Sequence, residues 1–280
     1  MGDRRDPADG HGAAAARLTS PLPLRHAPVP QRLVVLTGAS RGLGAAMARR
    51  LLDPDCTLLC LSRRSDASLA DAARERGARC EQWNVDLIEP VPVGAGLEVW
   101  LNAFPADRFD SAALINNAAV LTRIGALETG TGADLATAIR VGLEAPLVLT
   151  AAFLRATAAW RADRRVLNIS SGLGRRAMAG QATYCAVKAG IDHLSRAVAL
   201  DQAELPHGAR VAALAPGVID TDMQVQLREA AGPGFPEHEL FVRLKESGQL
   251  ASPDAAAERV LAFLARDDFG QAPVADIRDA

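Results

Sequence analysis

The chain has 280 residues, 49% of them hydrophobic and 23% charged, with a formal net charge of −2. That balance suits a globular core with a solvated surface, and the near-neutral charge with only 4% aromatic residues argues against nucleic acid as a partner. The longest apolar runs, 147–154 and 211–215, fall short of the roughly 20 residues of a membrane span, so no membrane partner is expected. The cysteines, Cys56, Cys60, Cys80 and Cys185, show neither CxxC pairing nor histidines at ligand spacing, and no metal site is expected. Cys185 stands apart because it follows Tyr184 directly, next to the expected cleft.

Residues 1–31 are rich in Ala, Pro, Arg and Asp and lack apolar periodicity, which predicts a disordered or extended tail. The tail has no apolar core of a secretory signal, and Asp3, Asp6 and Asp9 argue against a transit peptide, so the expected location is cytoplasmic. From residue 32 onward strands and helices alternate. The patterns predict strands at 32–36, 57–62, 79–85, 112–116, 165–169, 210–214 and 272–277. Between them fall helices at 43–52, 65–76, 97–104, 133–162, 182–202 and 254–265. Nearly continuous apolar strands alternating with helices imply one α/β domain over 32–280. Its expected fold is a Rossmann-type doubly wound parallel sheet with helices on both faces. Ligands of such sheets gather at the carboxyl ends of the strands.

Directly after the first strand comes Thr37-Gly38-Ala39-Ser40-Arg41-Gly42-Leu43-Gly44, opening a helix. Glycines there allow a tight turn and close backbone approach, and the helix end favours a pyrophosphate. The end of the second strand holds Ser62-Arg63-Arg64, with no carboxylate until Asp66, so an NAD ribose lacks its usual acceptor. Arg41 and Arg63 instead suit a 2′-phosphate, which favours NADP(H).

Tyr184 and Lys188 lie four apart in a helical run and so share a helix face. Tyr184 is the only tyrosine, and Lys188 and Lys245 are the only lysines among 31 basic residues. A phenol near neutrality is a proton donor, and a nearby ammonium is expected to lower its pKa. This pattern points to general acid–base chemistry on a carbonyl or alcohol.

The glycine turn resembles that of the short-chain dehydrogenases/reductases, and further segments follow in that family's order. Asn116-Asn117-Ala118-Ala119 resembles its NNAG segment, with Ala119 replacing the glycine. Asn168-Ile169-Ser170-Ser171 resembles its serine strand, Tyr184-Cys185-Ala186-Val187-Lys188 its YxxxK helix, and Pro216-Gly217-Val218-Ile219-Asp220-Thr221 its PGxxxT loop. The resemblance implies a catalytic Ser171, with Ser170 as the neighbouring alternative, beside Tyr184 and Lys188. It places the cofactor on Gly38, Ser40, Arg41, Gly42, Leu43, Gly44, Arg63, Asp86, Asn116, Ala118, Tyr184, Lys188, Pro216, Gly217, Ile219 and Thr221. The family's helical asparagine is replaced by Gly142, so any proton relay there depends on the main-chain carbonyl.

The segments 220–224, 244–250 and 276–278 resemble the branch containing sepiapterin reductase and the bacterial benzil reductases. That likeness implies NADPH-dependent reduction of a ketone or vicinal dicarbonyl, a substrate contact at Asp276 as well as Ser171, and a lid at 224–249. Gly232, Pro233, Gly234 and Pro236 punctuate that lid. The alternatives are an NAD-dependent alcohol dehydrogenase of the same family and a non-catalytic dinucleotide-sensing regulator. The family's long helices around the serine strand imply a homodimer or homotetramer.

Overall fold

The structure, a computed structural model, describes residues 31–121, 123–230, 232 and 234–279. The predicted tail lies outside these residues except for Gln31, and Pro233 of the expected lid is outside them too. Seven parallel strands form one sheet in the order β3-β2-β1-β4-β5-β6-β7. They are β1 Arg32–Thr37, β2 Cys56–Ser62, β3 Arg79–Asn84, β4 Ser111–Asn116, β5 Asp163–Ile169, β6 Arg210–Ala215 and β7 Val274–Asp276. The order reverses between β1 and β4, and that switch point leaves a crevice at the strands' carboxyl ends.

Because side chains alternate along a strand, each central strand feeds two cores. Val34, Leu36, Leu58 and Leu214 face α1 (Gly42–Arg50), α2 (Ala67–Glu75) and a late helix, Pro253–Ala265. Leu33, Val35, Leu59 and Val166 face the other way, toward α3 (Pro90–Asn102) and the helices preceding β5. Burying each such side chain contributes about 1.5–3 kcal/mol, so the two-sided sheet carries the stability of the frame.

Two expected helices needed correction. The helix predicted at 97–104 begins at Pro90, because proline is tolerated at the first helical position. One of its glycines is needed for packing: a β-carbon on Gly94 would come within 2.6 Å of Val148 Cγ1. The stretch 133–162 ends as helix at Ala156, and residues 157–162 turn into β5. It comprises α4 (Gly132–Ile139), one π-helical turn at Arg140–Glu144, and α5 (Ala145–Ala156). Thus joined, residues 132–156 are long and apolar enough to cross a membrane, with mean hydropathy 1.5, which the run 147–154 alone did not reveal. Half of that stretch is buried within the fold, as in a core helix. Finally, the predicted lid resolves into two short helices, α7 (Asp222–Glu229) and α8 (His238–Glu246), ahead of α9 (Pro253–Ala265). Between β5 and β6 runs α6 (Ala182–Ala203).

Candidate active site

The carboxyl ends of β1, β4, β5 and β6 open into a cavity of about 500 Å³. Its glycine-turn wall is held from two sides. The Thr37 hydroxyl oxygen accepts from the amides of Asn117 and Ala118, both at 2.9 Å. The Asn117 side chain donates to the carbonyls of Thr37 and Gly38, and the Ala39 amide donates to Ser62 Oγ at 3.0 Å. Gly38 has φ +71°, and a β-carbon on Gly44 would sit 2.1 Å from the Gly38 oxygen. Only glycine fits that close approach. Thr37 and Asn117 escaped the sequence reading, although both lie within the quoted motifs.

Every residue expected at the cofactor lines this cavity except Asn116. Asn116 is buried in the frame, where its amide donates to Asn168 Oδ1 at 2.8 Å and Thr150 Oγ1 at 3.2 Å. Asn168 in turn donates to Ser195 Oγ, so this ladder ties β4 and β5 to α5 and α6. Arg63 reaches the cavity with no acidic partner among the described residues. Arg41 is exposed and paired with Asp222 at 3.0 Å. The glycine cradle fits a dinucleotide, and Arg63, rather than a carboxylate, follows the end of β2 at the edge of the cavity.

Tyr184 and Lys188 both face the cavity from α6. Lys188 Nζ donates to the Ile169 carbonyl at 2.7 Å, at the end of β5, and lies 5.6 Å from the centre of the Tyr184 ring. Burial pushes the lysine down to about 8, opposed by the nearby Asp192 carboxylate. The expected lowering of the tyrosine by the lysine does not occur. Burial of the phenol raises its pKa, opposed by a hydrogen bond with Ser171. The lysine's charge is directed at a backbone carbonyl, so Tyr184 remains a neutral proton donor.

Ser171 caps a short 3₁₀ turn, Gly172–Gly174, accepting from the Leu173 amide at 3.2 Å. Ser170 is committed elsewhere: its hydroxyl donates to the buried Asp192 carboxylate. Arg175 bridges Asp192, at 3.0 Å, and Asp276, at 3.6 Å. The sequence reading missed this network, whose one visible signal was Asp192 four residues after Lys188. Asp276 lines the cavity, but Arg278 forks onto both its oxygens at 2.6 and 2.8 Å and holds the carboxylate below its ordinary pKa. Gly142 lies in the π-helical turn, and a β-carbon there would stand 2.5 Å from Val187 Cγ1 on the catalytic helix. Cys185 does not line the cavity and packs beside Met178, Leu227, Phe235 and Phe241.

A family model described as short chain dehydrogenase matches residues 32–232. The chain is a short-chain dehydrogenase/reductase. This oxidoreductase, of a family that uses a nicotinamide cofactor, is 34% identical to a benzil reductase ((S)-benzoin forming) of Bacillus cereus. The match covers 87% of this chain and 98% of that relative. It is 32% identical to the sepiapterin reductase of Mus musculus, over 88% and 96% of the two chains. Among solved structures, a short-chain dehydrogenase/reductase from Burkholderia vietnamiensis shares 35% identity at a TM-score of 0.61, covering 89% and 98%. The KRED1-Pglu enzyme, at 22% identity, shares the fold with a TM-score of 0.73, covering 87% and 100%.

Proposed function

We propose that this short-chain dehydrogenase/reductase uses NADPH to reduce a vicinal dicarbonyl or a related ketone to the hydroxy compound. The observation that carries the reading is Tyr184, kept protonated beside Ser171 and the buried Lys188 in a cavity that continues into an apolar lid. The benzil and sepiapterin reductases among the relatives support the substrate class. Arg63, without an acidic partner where an NAD enzyme would carry a carboxylate, supports the phosphorylated cofactor.

The glycine turn, Lys188 and the 216–221 loop would hold a nicotinamide cofactor, which would supply the hydride when bound. The remaining chemistry belongs to this chain. The Ser171 hydroxyl donates to the substrate oxygen and fixes its direction, and Tyr184 passes its phenolic proton to that oxygen as negative charge develops. The tyrosinate left behind lies beside the Lys188 ammonium, 5.6 Å from the ring centre, which would turn from the Ile169 carbonyl toward the new charge. Met223, Leu227 and Phe241 of the lid line the cavity and would limit the access of water to the reacting carbonyl. Asp276 would serve as a substrate anchor only by giving up part of the Arg278 fork.

Steady-state rates on diacetyl, benzil and sepiapterin, with NADPH against NADH, test the reading. Turnover of at least one dicarbonyl with a preference for NADPH is expected. Activity confined to an unrelated alcohol with NAD would overturn it. We further propose a homo-oligomer built on α5 and α6, where Leu147 and Leu200 are exposed. Light scattering showing a strict monomer would remove that part.

A further inference from the structure

Gln224 is the third residue of α7, with its main-chain amide bonded to the Thr221 carbonyl at 2.8 Å. Only 7% of the residue is exposed, and it lines the cavity beside Met223, Leu227 and Phe241. No described residue hydrogen-bonds its side-chain amide, and Oε1 is sealed from solvent without a partner. A polar group buried in that way costs about 1–3 kcal/mol. The fold recovers none of it: a methionine of the same length would suit both the helix and its apolar neighbours. A cost that packing does not explain, in a side chain facing a ligand cavity, points to the ligand.

We propose that Gln224 is a specificity-determining residue whose side-chain N–H donates to the second oxygen of a vicinal dicarbonyl, while Tyr184 and Ser171 engage the first. The inference rests on the reductase reading given above. The assignment of the donor follows from chemistry. Both oxygens of a dicarbonyl only accept hydrogen bonds, whereas an amide turns either its N–H or its carbonyl toward a partner by rotating its last torsion. One donor beyond those at the reacting carbonyl is what the apolar side of the pocket, formed by Met223, Leu227 and Phe241, needs to hold such a substrate in a single orientation. A rival account also starts from α7. One turn further on, Arg228 Nη1 is likewise buried without a partner, and a water bridging it to Gln224 Oε1 would satisfy both groups. In that case the glutamine is structural.

The two accounts separate with a pair of activated aryl ketones. Both 1-phenyl-1,2-propanedione and 2,2,2-trifluoroacetophenone are electrophilic, but only the first carries a second carbonyl oxygen. Gln224→Met is expected to lose about tenfold in kcat/KM on the dione, which corresponds to about 1.4 kcal/mol. Its rate on the trifluoro ketone should stay within about twofold of the unmodified enzyme. Its melting temperature should hold or rise, because an apolar group replaces an unpartnered amide. Gln224→Leu, which also lacks the donor, should show the same selective loss, so the test survives poor folding of either variant. Equal losses on both ketones would overturn the proposal. So would an unchanged ratio accompanied by a lower melting temperature, which the bridging water predicts. If the unmodified enzyme reduces neither ketone with NADPH, the reductase reading itself fails, an outcome distinct from turnover without discrimination.

Discussion

The two walls of the cavity are built on different principles. The fixed wall, made of strand ends and α6, is a polar network in which Thr37, Asn117, Asn116 and Asn168 are hydrogen-bonded within the frame, with Asn116 Oδ1 alone among these groups buried without a partner among the described residues. The lid wall is a small apolar cluster of Met178, Leu227, Phe235 and Phe241, tethered at its rim by exposed ion pairs. Arg176–Glu237 and Lys245–Asp220 are such tethers, and pairs of that kind contribute about 0–1 kcal/mol each. Arg41, in the glycine turn, adds a third tether through Asp222. A hydrogen-bonded floor and a weakly held roof suit a site that positions its cofactor on one side and admits ligands from the other. The comparison teaches that the candidate catalytic groups sit on the wall that the frame holds in place.

If the fixed wall holds the chemistry, the largest effect should come from its one phenol. Tyr184→Phe removes the proton donor without disturbing the helix, and kcat is expected to fall by about 10³-fold. Cofactor affinity, read by fluorescence titration, should remain close to that of the unmodified protein. A variant with near-normal kcat would break the comparison. A smaller effect is expected at the adenosine end. Arg63→Ser should reduce the preference for NADPH over NADH by about ten- to a hundredfold, because a charge-assisted hydrogen bond is worth about 1.5–3 kcal/mol. The ratio of kcat/KM values for the two cofactors reads it, and an unchanged ratio would move the 2′-phosphate elsewhere.

The smallest expected effect concerns the seam between the catalytic helix and the π-helical turn. Gly142→Asn restores the asparagine usual in the family, yet its β-carbon must displace Val187, which sits between Tyr184 and Lys188. Overpacking of that kind costs about 1–3 kcal/mol, so the melting temperature should drop and turnover should not rise. A gain in turnover would show that the glycine weakens the site.

The fixed wall was also the legible one. Its strands are short apolar runs, and its turn and its Tyr–Lys pair have fixed spacings, so residue type and position together specify the chemistry. What stayed hidden depended on contacts between distant segments. Asn116 reads as a ligand residue in its motif, and only its meeting with Asn168 and Thr150 shows it to be part of the frame. The Arg175 bridge between Asp192 and Asp276 spans residues far apart in the chain, with no periodicity to announce it. The start of α3 was masked by Pro90, which suits a helix terminus, and by Gly94, which allows close helix packing, neither of them favoured by helix propensity. Gln224 falls in the segment 220–224 and at the start of the expected lid, but its burial without a partner appears only once the lid folds over it.

Lys188 links protonation to both stability and rate. Its folded pKa, about 8, lies below the ordinary 10.5, so the unfolded chain binds its proton more tightly. The resulting cost to stability is full below pH 8 and fades as pH rises from there toward 10.5. Activity runs in the opposite direction, because the ammonium that supports proton transfer from Tyr184 is lost over the same range. The pH dependence of kcat/KM for benzil reduction by NADPH therefore tests the central claim, that the buried Tyr184–Lys188 pair is the proton source. The account predicts a plateau below pH 8 and a decline above it. A profile that stays flat to the ordinary lysine value of 10.5 would contradict it.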